Sequence, residues 1–252
     1  MNYIIKGKNI RKNFVNGNEQ TNVLNEINID IEKGDFVAIM GPSGSGKSTL
    51  LYTLSGMDGI TSGTVEFDAI ELSKLHEKDL ADIRRKKMGF IFQQPTMLKN
   101  LNLLDNIILP AINGHTKNVV SLTKKAKELM KKTGISDLET RNITEVSGGQ
   151  LQRAGICRAL MNDPQIIFAD EPTGALNSKS AKEIMELLVE INKEGTAILL
   201  VTHDAKVAAN ANRVLFTKDG KIVKELSLKM YTDMGEEMRV DKIITQMAII
   251  GI

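Results

Sequence analysis

The chain has 252 residues, 42% of them apolar and 25% charged, enough for one large domain or a core with a smaller insertion; this composition excludes disorder. No apolar run is long enough to span a bilayer, Met1 to Ile10 shows no secretory signal pattern, and a net charge of +2 is too near balance to imply nucleic acid or an anionic surface as the main partner, so no nucleic acid is expected. Cys157 is the single cysteine, so no internal disulfide forms, and the expected compartment is the cytoplasm.

Taken in chain order, Ile27, Ile29 and Ile31 alternate with polar residues, as on a strand with one buried face. Gly34 marks a turn, and Phe36 to Met40 is a continuous apolar run, the pattern of a buried strand. A glycine-rich loop follows at once, and Ser48 to Leu54 reads as the start of a helix. Thr64 to Phe67 is predicted as a short strand, Glu77 to Lys87 as a charged helix and Met88 to Phe92 as another strand. Lys124 to Lys132 is helical in composition and ends at Gly134. Gly149 to Met161 is predicted helical, Gln165 to Ala169 a buried strand, Ser178 to Lys193 a helix stopped by Gly195, and Ala197 to Val201 a third buried strand. Near the end, Val214 to Thr217 and Ile222-Val223 flank Asp219-Gly220, a strong hairpin signal. Val240, Ile243, Ile244 and Met247 recur at helical spacing, so a C-terminal helix packing on its own domain is expected; contact with a dimer partner or a membrane surface is the alternative.

Buried strands alternating with helices predict an α/β domain with a largely parallel sheet. The helical middle, roughly Pro95 to Leu160, reads as an insertion.

Gly41-Pro42-Ser43-Gly44-Ser45-Gly46-Lys47-Ser48-Thr49 fits G-x-x-x-x-G-K-[ST] at every fixed position. The glycines let the backbone curl so that N–H groups point inward at phosphate oxygens. Lys47 supplies a point charge to the β- and γ-phosphates, the Ser48 hydroxyl suits Mg²⁺, and the following helix adds the positive end of its dipole. Its place between a buried strand and a helix start argues against a chance match. By itself the loop says nucleoside triphosphate and leaves kinase, GTPase and ATPase open.

The strand ending at Ala169 runs into Asp170-Glu171. Two adjacent acids there suit a Mg²⁺ site beside a base, with Asp170 holding the metal through water and Glu171 orienting or deprotonating the attacking water. Acids at strand ends are also common as solvated residues; the phosphate loop in the same chain is what favours the functional reading.

Between loop and carboxylates lies Val146-Ser147-Gly148-Gly149-Gln150-Leu151-Gln152-Arg153. Alone, Ser-Gly-Gly is a turn and helix cap. In this order the chain resembles the ABC transporter ATPases over about residues 3 to 225, with Val146 where that family usually has Leu. The resemblance implies a P-loop, RecA-like core with a parallel sheet over residues 1–94 and 161–225, an N-terminal antiparallel β part within it, a helical signature subdomain over 95–160 and a C-terminal extension over 226–252. It also implies ATP and Mg²⁺ as cofactors, with Ser147, Gly148, Gly149 and Gln150 completing the nucleotide pocket of a second copy in a head-to-tail dimer. Gln93 looks like the glutamine that touches Mg²⁺ and water and senses the transmembrane partner, and His203 like the switch histidine on the γ-phosphate. Phe14 sits where the family commonly stacks an aromatic ring on adenine. Asn177 departs from the family's Leu-Asp after Gly174-Ala175, which bears on dimer communication and turnover more than on binding.

The implied partner is an integral membrane permease at the cytoplasmic face of the membrane. The wording around Gly41 to Ser48, Ile83-Arg84-Arg85 and Asp170 to Gly174 is similar to the lipoprotein-release and macrolide-export group. Gly174 to Ser180 looks closer to the antimicrobial-peptide (bacitracin-type) resistance and sensing branch, which often works beside a sensor kinase. A regulatory ABC ATPase that moves a permease-like protein without transport shares every motif. A soluble repair or translation ABC protein is disfavoured by the single cassette and the lack of a heptad run.

Overall fold

A computed structural model describes residues 3–17, 19–112, 119–228 and 235–252. Residues 113–118 of the expected insertion and 229–234 of the expected extension lie outside them.

Two sheets share the framework. The first is antiparallel, ordered β2-β1-β4-β5, from β1 (Tyr3–Asn16), β2 (Glu19–Glu32), β4 (Ser62–Phe67) and β5 (Ile70–Glu71). The second is ordered β10-β9-β3-β8-β7-β6, from β3 (Phe36–Met40), β6 (Met88–Ile91), β7 (Ile166–Asp170), β8 (Ala197–Val201), β9 (Arg213–Lys218) and β10 (Lys221–Ser227). All of its pairs are parallel except β9–β10. That last pair turns through Asp219 and Gly220, both with positive φ, as a two-residue hairpin loop requires.

The central strands β3 and β8 are buried at every residue. Strands buried on both faces cannot alternate, which is why they read as unbroken apolar runs. One face of the second sheet packs with β1, β2 and α1 (Lys47–Leu54) in a cluster that includes Ile4, Ile31, Leu50 and Leu54. The other face packs against α6 (Ser178–Lys193), through Ile184, Leu188 and Ile191. A third cluster, including Leu103, Ile107, Met130, Ala154 and Cys157, holds together α3 (Leu103–Ile108), α4 (Val119–Lys132) and α5 (Gly148–Leu160). The helical middle thus has a core of its own. α2 (Glu77–Lys87) buries no residue and stays a charged surface helix beside β6.

The C-terminal helix α8 (Glu236–Ile250) lies on α7 (Ala205–Ala208). Ile243 is buried in the core, Val240 and Met247 pack against it, and Ile244 faces outward. Arg239 is fully buried and donates to the carbonyls of Ala209 and Ala211, which satisfies a charge that would otherwise be costly to bury. At the far end, Lys218 Nζ donates to the carbonyls of Ile250 and Gly251 at 3.0 and 3.2 Å, a cation placed at the negative end of the helix dipole. No helix among the described residues is long and apolar enough to cross a membrane.

Candidate functional site

The parallel strands β3, β7 and β8 deliver their C-terminal ends to one place, and each carries a polar segment there. Open parallel sheets bind ligands at this edge because loops leave the strands there and helix N-termini face it.

From β3 comes the glycine loop. Gly46 has φ +91, and a Cβ there would lie 2.7 Å from the Val23 carbonyl oxygen, so only glycine lets the loop curl this close to β2. Gly46 also starts α1 without a side-chain cap, which leaves the first N–H groups of that helix unclaimed by any capping side chain. The buried Ser45 hydroxyl is 2.8 Å from Thr217 Oγ1, tying the loop to β9. Lys47 Nζ donates to the carbonyls of Gly41 and Pro42, both at 2.9 Å, so the ammonium lies across the mouth of the loop. Burial draws its pKa below the ordinary lysine value, opposed by the negative charges of Glu171 and Asp170.

From β7 come Asp170 and Glu171. Ser48 Oγ donates to Asp170 Oδ1 at 2.9 Å, and Tyr52 OH donates to Asp170 Oδ2 at 2.8 Å. The Tyr52 phenol is pushed up to about 12, first by burial and then by its hydrogen bond to Asp170. A hydroxyl and a carboxylate oxygen side by side are the hard donors that fit Mg²⁺, which takes one or two protein oxygens and fills its octahedron with water and phosphate. No cluster of three or more acidic, histidine or cysteine side chains exists among the described residues, and a Mg²⁺ held partly by phosphate needs none.

Glu171 has φ +48, a left-handed conformation that costs a non-glycine residue about 1–3 kcal/mol. The surrounding backbone enforces it: Glu171 N–H donates to the Val201 carbonyl and its own carbonyl accepts from Gly174 N–H, both at 3.0 Å. The conformation aims the carboxylate at β8, where Glu171 Oε1 is 2.8 Å from His203 Nδ1. The acid is mostly buried, at 18% side-chain exposure, and the imidazole is open at 72%.

Gln93 follows β6 and is exposed. It touches the carboxylate segment at Gly174, where a Cβ would meet Gln93 Nε2 at 2.9 Å. The same loop is held from the helical side by the buried Gln152, whose Nε2 donates to the Phe92 carbonyl at 3.1 Å. The structure therefore brings the loop, Asp170, Glu171, His203 and Gln93 to one edge of the sheet.

The segment Ser147 to Gln150 does not join them. It opens α5 in a capping box: Gln150 N–H donates to Ser147 Oγ at 3.3 Å and Ser147 N–H to Gln150 Oε1 at 2.8 Å. No hydrogen bond from these four residues reaches the phosphate loop or the carboxylates among the described residues. Asn177 caps α6 through Ser180 N–H, at 2.9 Å, and Arg153 binds α5 to α6 through Glu183 at 2.8 Å. Phe14 lies on β1 at 46% exposure. The Lys12 ammonium sits 4.8 Å from its ring centroid and also pairs with Asp58 at 2.6 Å, leaving one ring face turned away from the cation.

Sequence reading missed Tyr52 and Gln152. Tyr52 had a signal in its spacing, four residues after Ser48 on one helix face. Gln152 had none, since a glutamine in a helix is ordinarily solvated.

The model of the ABC transporter family matches residues 24–174. The macrolide export ATP-binding/permease protein MacB of Neisseria meningitidis is 43% identical over 228 residues. That match takes in 89% of this chain but 35% of MacB, so the chain spans about a third of the length of that relative. The uncharacterized ABC transporter ATP-binding protein YknY of Bacillus subtilis is 42% identical over 87% of this chain and 95% of its own length. Among solved structures, the dimeric ATP-binding cassette MJ0796, in a post-hydrolysis state bound to ADP and Pi, superposes with a TM-score of 0.83 at 40% identity, covering 89% of this chain and 99% of that one. The chain belongs to the ABC transporter family of ATP-binding cassettes, a P-loop ATP hydrolase whose cofactors are ATP and Mg²⁺.

Proposed function

We propose that the chain is the motor of a membrane permease and that hydrolysis requires two copies arranged head to tail. The observation that carries this is the division of the site. Loop, carboxylates and His203 converge within one chain, whereas the side-chain bonds of Ser147 to Gln150 stay at the start of α5 and reach neither the loop nor the carboxylates among the described residues. One γ-phosphate has no use for a second anion site in its own subunit; a second copy turned end for end does. The dimeric form of the MJ0796 cassette supports a working unit of two copies.

In the mechanism, the N–H groups of Gly41 to Thr49 and the start of α1 hold the phosphates, and Lys47 leaves the Gly41 and Pro42 carbonyls for β- and γ-phosphate oxygens. Ser48 and Asp170 would hold Mg²⁺, with Gln93 beside them, and the ion would supply neutralisation of the phosphate charge. Glu171 accepts a proton from water as the water oxygen attacks γ-phosphorus and the bond to the β-phosphate oxygen breaks, leaving ADP and phosphate. His203, held by Glu171, positions the γ-phosphate. Phe14 offers its free face to adenine. Ser147 to Gln150 of the other copy close over the γ-phosphate.

The permease reading draws on MacB, an ATP-binding/permease protein, and the groove lined by Met57, Phe90, Phe92 and Pro110, next to Gln93, is where such a permease docks. The finer reading is export, resistance or sensing of an antimicrobial peptide, with a sensor kinase acting through the permease; it draws on the wording of Gly174 to Ser180. Deleting the gene and comparing susceptibility to macrolides and to cell-wall-directed peptide antibiotics tests it. Hypersensitivity to peptides alone is expected, and hypersensitivity to macrolides alone replaces it with macrolide export.

A further inference from the structure

We propose that Tyr52 is a positioning residue for the metal-holding carboxylate: its hydroxyl holds the outer oxygen of Asp170 and thereby aims the inner one. The inference rests on the reading of Ser48 and Asp170 as the Mg²⁺ side of the site.

Ser48 and Tyr52 are four residues apart on α1, so they project from one face of the helix, and both hydroxyls end on Asp170. Ser48 Oγ reaches Oδ1 at 2.9 Å and Tyr52 OH reaches Oδ2 at 2.8 Å. A carboxylate at a strand end turns freely about its last bond, and its terminal torsion is broad; two donors from one rigid helix remove that freedom. A cation held at Ser48 would take a lone pair of that hydroxyl and leave its O–H donating to Oδ1. The bond from Tyr52 to Oδ2 would fix the second oxygen and so keep Oδ1 pointing inward.

The phenol is built to stay. Its ring packs against the buried cluster beneath α1. Its carbonyl accepts from Met57 N–H at 2.9 Å, Asp58 N–H at 3.1 Å and Ser55 Oγ at 3.0 Å, which pins the end of the helix. A neutral donor also suits the task. A lysine or arginine in this position would orient the carboxylate but cancel the negative charge the cation needs.

Tyr52→Phe keeps the ring and removes the bond. In the full chain, the Mg²⁺ concentration giving half-maximal ATP hydrolysis is expected to rise about three- to tenfold, the size of one ordinary net hydrogen bond, with kcat at saturating Mg²⁺ largely kept. Binding of a fluorescent ATP analogue provides a readout separate from turnover. Its affinity in EDTA should match the parent chain, and the gain on adding Mg²⁺ should shrink by the same factor. A variant with the parent's Mg²⁺ dependence overturns the proposal. So does one that weakens binding equally with and without Mg²⁺, because that is the signature of a packing defect. If the parent chain itself binds ATP no better with Mg²⁺ than in EDTA, the reading of the metal side fails instead.

Discussion

Two helices of this protein begin at glycine-rich sequences, and they begin in opposite ways. α1 starts at Gly46, left-handed and without any side-chain cap. α5 starts at Ser147, inside a capping box that satisfies the N–H groups of Ser147 and Gln150. Neither carries an acid in its first turn, so both keep the full positive end of the dipole. The difference teaches which end is ready by itself. The α1 end offers free N–H groups, Lys47 and the Asp170–Glu171 pair at once, so one chain is enough to bind nucleotide. The α5 end makes no hydrogen bond to its own loop among the described residues, which fits the proposal that it serves a phosphate presented by a second chain.

The largest effect should come from removing the chemistry while keeping both ends. Glu171→Gln is expected to cut hydrolysis by about a hundredfold or more while ATP stays bound, and size-exclusion chromatography with ATP should then show a trapped dimer. Steady turnover by that variant would overturn the general-base role. Next, Lys47→Ala attacks the α1 end alone; nucleotide affinity of the isolated chain should drop about tenfold or more, as for the loss of a charge-assisted bond, and equilibrium dialysis reads it directly. Ser147→Ala attacks the α5 end. It should leave binding to the single chain intact, lower hydrolysis through poorer closure and cost about 1 kcal/mol of stability as a lost helix cap. Equal loss of single-chain binding would contradict the division between the two ends. The smallest effect belongs to Asn177→Asp. Aspartate caps as well as asparagine, so stability should change by less than about 0.5 kcal/mol, and ATP affinity little, while the added charge beside the dimer-facing end alters turnover measurably. An unchanged rate in the assembled transporter would show the charge to be silent.

The buried strands were readable because burial on both faces leaves no polar residue in Phe36–Met40 or Ala197–Val201. The long β1–β2 ribbon was readable only at Ile27 to Ile31. Its register shifts between Gly7 and Ile10, Ile10 and Lys12, and Lys12 and Asn13, and each bulge breaks the two-residue period on which strand recognition depends. The six-residue helix α3 is too short to display a helical period. Arg239 gave no signal at all: buried arginine is rare, and its partners include the carbonyls of Ala209 and Ala211, thirty and twenty-eight residues away.

What the amino-acid order determined by itself was the inventory and its sequence along the chain: phosphate loop, Gln93, Ser147 to Gln150, Asp170-Glu171, His203. These are local patterns, set by backbone needs and charge within a few residues, and they identify the chemistry. What only the tertiary structure decided is which of them meet. Parallel pairing of β3, β8 and β7 brings Lys47, Asp170, Glu171 and His203 to one edge, the left-handed Glu171 turns its carboxylate to the histidine, and Tyr52 reaches Asp170 from 118 residues away. Those contacts depend on sheet order and helix orientation, which are properties of the whole packed core and leave no mark on the spacing of any single motif.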